Sequence, residues 1–145
     1  MASNKNESRL AASALSAEGF LGSDTRPFER IIADDAKAIE SAGISLSALA
    51  AALEQVYCKA RDNLGAPLQV RSGVRAVFYE SMGRIPSPFG DGFFEKGEAV
   101  VADEQGTEKL IITSLSIHLI RKHGFFQGKG SRYRIDPVAA AKLLL

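Results

Sequence analysis

The side chains that could do chemistry crowd towards one end of the chain. The stretch IRKHGFFQGKGSRYR, residues 120–134, holds five Lys or Arg, one His, three aromatic residues and three Gly, and it has no acid. Positive groups interleaved with rings suit single-stranded nucleic acid, because rings stack on bases while Lys and Arg follow the phosphates. Arg121, Lys122, Lys129, Arg132 and Arg134 are the candidate phosphate contacts, and Tyr133 is the candidate stacking ring. Gly128 and Gly130 would let the backbone come close to an anion. The GxxxxGK[ST] spacing of a nucleotide-hydrolase phosphate loop is absent. A plainer use competes. Arg121 and Lys122 complement a helix C-terminus, Phe125 and Phe126 enter a core, and the other charges are solvated.

The remaining reactive residues are sparse. His118 and His123 stand five apart, about 140° around a regular helix, so both would reach one metal only if the helix end were distorted. A hairpin followed by a helix with two histidines resembles the ββα outline of a two-cysteine, two-histidine zinc finger. The thiolates are missing: upstream, PSPFGDG offers Ser87 and Asp91, and Ser is a poor zinc ligand. The one cysteine, Cys58, allows neither an internal disulfide nor a four-thiolate zinc site. It falls mid-helix beside an apolar stripe, where an inert thiol is expected. No GxSxG elbow occurs, and the adjacent acids Asp34–Asp35 and Asp103–Glu104 point apart. The expectation is no catalytic residue, no metal and no cofactor. An enzyme whose residues are not grouped in sequence is the last-ranked alternative.

A third cluster is apolar. RIPSPFGDGFF, residues 84–94, carries Phe89, Phe93 and Phe94 between prolines and glycines. Folded over a sheet, it is core. Exposed, the 85–94 loop is a patch for a protein partner or for self-association.

The elements that must position these groups follow from periodicity. After SDT, with Pro27 in the first helical turn, Phe28, Ile31, Ile32, Ala36 and Ile39 repeat at helical spacing up to Gly43. Leu46, Leu49, Leu53, Val56, Tyr57 and Ala60 mark a second helix, closed by Gly65. The segment 38–56 of this pair resembles a helix-turn-helix. Its outward positions, Ser45, Ser47, Ala48, Ala50 and Ala51, lack the residue types that read base edges or grip phosphate. A helical hairpin is therefore expected. APLQVRSGVRAVFYES carries two β-type runs about Ser72-Gly73, and EAVVAD and EKLIITS flank EQGT, which makes two hairpins. Residues 82–97 are expected as an ordered loop, LSIHLIRKH as a short helix, SRYRI as a short strand, and PVAAAKLLL as a terminal helix capped by Asp136.

That order predicts an α+β fold: an N-terminal helical pair on an antiparallel sheet of β-hairpins, a ββα-like C-terminal half and a short terminal helix. Residues 1–22 are expected as a mobile tail and 23–145 as a single domain, with a helical part 23–66 and a mainly β part 67–145. At 145 residues, 46% hydrophobic and 24% charged, the chain can bury about two-thirds of its surface without staples. A net charge of +1 gives no whole-protein field to draw in DNA or anionic lipid. Residues 1–70 carry seven Lys/Arg against nine Asp/Glu, and residues 71–145 eleven against eight. No apolar run approaches the ~20 residues of a membrane helix and no signal-like start appears, so a cytoplasmic location without membrane partners is expected. The functional expectation is a small non-catalytic module binding nucleic acid or another polyanion through 121–134. Protein interaction through the 85–94 loop is the alternative.

Overall fold

The computed structural model describes residues 19–106 and 109–145. Helices α1 (Phe28–Ser41) and α2 (Leu46–Asp62) come first. Strands β1 (Leu68–Arg71), β2 (Val74–Tyr79), β3 (Arg84–Pro86), β4 (Phe93–Glu95), β5 (Glu98–Asp103) and β6 (Lys109–Thr113) follow. Helices α3 (Ser114–His123) and α4 (Pro137–Leu144) complete the α+β fold.

The helical pair forms for the reasons its sequence offers. Gly43, at φ 69°, turns the chain between α1 and α2, and the Ser45 side chain accepts a hydrogen bond from the Ala48 backbone to cap α2. The two axes bend by 97°. The α2 stripe from Leu49 to Ala60 is buried as expected, with Ala50 added to it, and Leu46 at its start is half-buried. In α1 the stripe shifts. Ala36 is exposed, while Asp35 is buried beside Ile31 and Ile39. An acid can take that place because Arg134 meets it there. Pro27 holds the N-cap position of α1 without a side-chain cap, and Asp24 accepts hydrogen bonds from Arg26 and from the Lys129 backbone.

Both expected hairpins form. They join into one antiparallel sheet of order β1-β2-β5-β6. In register, Ala76 faces Val101 and Val101 faces Leu110. Alternation puts Val74, Ala76, Phe78, Ala99, Val101, Leu110 and Ile112 on the buried face, where α2, α4 and part of α3 cover them. Burial of a large apolar side chain here contributes roughly 1.5–3 kcal/mol. A second cluster of Phe20, Ile31, Leu115, Leu119 and Phe125 lies between α1, α3 and the chain entering α1.

Two expectations are corrected. Part of the segment 82–97 pairs as the two-stranded hairpin β3-β4, apart from the main sheet. SRYRI is turn and irregular chain, because no neighbouring strand offers it a ladder. The expected tail lies outside the described residues up to position 18. From Gly19 onward the chain is a turn with Phe20 buried. Among the described residues, no single helix is long and apolar enough to cross a membrane.

Candidate functional site

The β3-β4 connection is closed by its own backbone. Ser87 N–H donates to Gly92 O at 2.9 Å and Gly90 N–H to Ser87 O at 3.0 Å, while the Ser87 hydroxyl accepts from Phe89 N–H at 3.2 Å. This tight loop holds Asp91 over the end of α3. The helix is regular there: Gly124, at φ 62°, terminates it, with Gly124 N–H on Ile120 O and Phe125 N–H on Leu119 O, both at 3.0 Å.

Asp91 Oδ2 lies 2.9 Å from His118 Nε2 and 2.8 Å from His123 Nε2. The three donor atoms lie within 4.8 Å of one another. Phe89 stacks on the His123 ring at 3.8 Å and 16°, and Phe94 lies against His118 at 4.6 Å and 31°. The two imidazoles thus have aromatic walls on their outer sides. All three side chains keep some contact with solvent, at 24% exposure for Asp91, 18% for His118 and 13% for His123. Burial pushes the Asp91 carboxyl up. Hydrogen bonds from Ser87, His123 and His118 outweigh it, so the group sits well below the usual carboxylate range. It is an anion at neutral pH.

The expectation that the two histidines meet at one point only if the helix end is distorted is therefore corrected: the helix end is regular and both rings reach Asp91. The ~140° between positions five apart is closed by a third residue, since Asp91 descends between the rings from another element. Two imidazole nitrogens and a carboxylate suit a first-row divalent metal such as zinc or iron better than calcium or magnesium. Around tetrahedral zinc, with bonds of about 2.0–2.1 Å, donor atoms stand roughly 3.3 Å apart. The two Asp91–imidazole separations, 2.9 and 2.8 Å, are about half an ångström short of that spacing.

The basic segment is arranged otherwise. Arg121 donates to Glu54 at 2.6 Å and Arg132 to Glu98 at 3.1 Å. The Tyr133 hydroxyl also donates to Glu98, at 2.5 Å. Arg134 is half-buried, with two 3.0 Å hydrogen bonds to Asp35 and one of 2.7 Å to Gln127 O. Lys122 and Lys129 are exposed. Acids from α1, α2 and β5 thus answer the three arginines one by one, and Tyr133 is tied to one of those acids. The glycines have a structural use. Gly128 N–H donates to Phe20 O at 2.8 Å and Ser23 N–H to Lys129 O at 3.0 Å. A Cβ on Gly128 would lie 2.2 Å from Leu21 O, so the loop closes on the chain entering α1. Phe125 and Phe126 are core. Of the loop phenylalanines, Phe89 and Phe94 turn towards the histidines, and Phe93 is 70% exposed.

Beside the triad, a groove of about 530 Å3 runs between α2, α3 and β4, with His118 in its wall. On its far side the Tyr57 hydroxyl donates to Glu95 Oε1 at 2.7 Å, and Arg61 donates to the same oxygen at 3.1 Å. Burial first, then Glu95, pushes the Tyr57 hydroxyl up, so it stays a donor at neutral pH. Asp91 lies 27 and 32 positions from its histidines, and no local spacing announces it. The available signal was the crowding of Pro, Ser, Asp and Gly around a phenylalanine in the β3-β4 loop. No protein-family model matches the chain, and no curated protein or solved structure is similar to it.

Proposed function

We propose that this chain binds a divalent transition-metal ion, zinc being the first candidate, through Asp91, His118 and His123. The observation that carries the reading is that both imidazole Nε2 atoms lie within 2.9 Å of one Asp91 oxygen. The aromatic walls and the closed Ser87–Gly92 loop support it, since ligands already held in place lose little entropy on binding. Three protein ligands leave a position for water or substrate, the pattern of zinc sites that act on a ligand. The test is calorimetric titration of chelator-treated protein with zinc chloride. One equivalent should bind, and Asp91→Ala and His123→Ala should each weaken it by at least about tenfold. No saturable binding by the parent chain, or equal binding by both variants, removes the reading.

A polyanion-binding module is the second reading. Its support is that Arg121, Lys122, Lys129 and Arg132 are exposed, and exposed ion pairs hold arginines by only about 0–1 kcal/mol. Salt-sensitive retardation of a single-stranded oligonucleotide, lost in a Lys129→Ala/Arg132→Ala variant, is its test. Self-association through the exposed Phe93 would show in sedimentation as a dimer abolished by Phe93→Ser.

A further inference from the structure

Resting on the metal reading, we infer that the groove between α2 and α3 binds the phosphate of a small phosphomonoester beside the metal. The groove shares His118 with the triad, so a ligand lying in it is next to the ion's protein shell. Its volume, about 530 Å3, falls in the range of small-ligand sites, roughly 300–1,000 Å3. Arg61, Arg121 and Lys122 line it, with the Tyr57 hydroxyl, against two acids, Glu54 and Glu95.

The donors already converge on anionic oxygens. Tyr57 and Arg61 meet on Glu95 Oε1, and Arg121 meets Glu54 Oε2 at 2.6 Å. Those carboxylate oxygens mark points where a phosphate oxygen would find its donors. The arginines can be taken from their acids at small cost, because Arg61 is 43% exposed and Arg121 48%, and exposed pairs are worth about 0–1 kcal/mol. A phosphate dianion offers each guanidinium a bidentate partner of higher charge than a carboxylate. Arg121 and Lys122, first noticed as part of a basic stretch, therefore act here at the groove and apart from Lys129, Arg132 and Arg134.

Phenyl phosphate is the probe, titrated calorimetrically into metal-free and zinc-loaded protein. The wild-type chain should bind it saturably. Arg121→Gln and Arg61→Gln should each weaken it about tenfold, while zinc affinity stays within about twofold. Lys129→Ala should leave it unchanged. Binding of phenyl phosphate that both arginine variants retain would overturn the proposal, as would zinc binding with no phenyl phosphate binding at all. If zinc fails to bind but phenyl phosphate does, in an Arg121-dependent way, the metal reading falls and the groove stands as an anion site. A single-stranded oligonucleotide that displaces phenyl phosphate at lower concentration would overturn the assignment to a small monoester.

Discussion

The residues that matter most are those whose charge is held by a distant part of the chain. Arg134 and Asp35 are the buried instance, at 12% and 7% side-chain exposure, and Gln127 O supplies a further acceptor. Removing Asp35 takes away the closer counter-ion and leaves the guanidinium with Asp136, 3.7 Å away and mostly exposed. Asp35→Ala is therefore expected to destabilise the fold by about 1.5–3 kcal/mol, the range for a lost hydrogen bond to a charged group, read from the urea midpoint. Arg132→Ala, at an exposed pair, should cost no more than about 1 kcal/mol. Asp24, like Asp91, contributes to the pH dependence. The Arg26 side chain first, against burial, and then the Lys129 backbone hold its carboxyl well below the usual range. A depressed folded pKa contributes stability that is full above the unfolded value, near 3.9, and fades as pH falls from there towards the folded value. Urea midpoints should drop as pH falls below about 4, and Asp24→Asn should flatten that part of the profile while lowering the midpoint at neutral pH. At this scale the sequence identified the chemistry of each group and not its partner. The five cations of 120–134 have no acid within the stretch, and the acids that meet its three arginines arrive from Asp35, Glu54 and Glu98.

The elements were legible where periodicity and turn chemistry agreed. The α2 stripe, the Ser72-Gly73 turn and the pairing of the strands that flank EQGT each carry a local signal, and each is found. Strand β4 was not legible, because three residues show too little alternation and its partner β3 ends in a proline. SRYRI failed for the opposite reason. Its residues favour extended chain, but only a neighbour makes a strand, and among the described residues none pairs with 131–135. The Gly-rich loop shows how one composition serves two purposes. Glycine permits close approach to an anion and equally to another backbone, and here the other backbone is Phe20–Ser23. Gly128→Ala tests that use. Its Cβ would meet Leu21 O at 2.2 Å, so the chain entering α1 must shift. A loss of about 1–3 kcal/mol is expected in chemical denaturation. Gly128 does not line the groove, and phenyl phosphate affinity should survive.

For the whole molecule, the hairpin β3-β4 is the piece with the least claim on the main sheet, which it does not join. It is fastened by side chains: Phe89 against Phe28, Phe125 and His123, Phe94 against His118, Glu95 on Tyr57 and Arg61, and Asp91 between the histidines. A metal at Asp91 would be a cross-link between this hairpin and α3, formed in the folded chain alone, since the unfolded chain does not bring Asp91 to His118 and His123. Such binding stabilises by mass action, about 2.7 kcal/mol at a free metal concentration a hundred times Kd. For a chain of 145 residues that corresponds to a rise in Tm of roughly 8–12 °C. Zinc chloride should produce such a rise in the parent protein and none in His123→Ala, and magnesium should produce none in either, because imidazole does not suit it. The variant must first be seen to melt cooperatively without metal, which it should, because the aromatic contacts of Phe89 with Phe28 and Phe125 remain. An equal zinc response in parent and variant would place the ion elsewhere and leave the hairpin held by its phenylalanines and by Glu95.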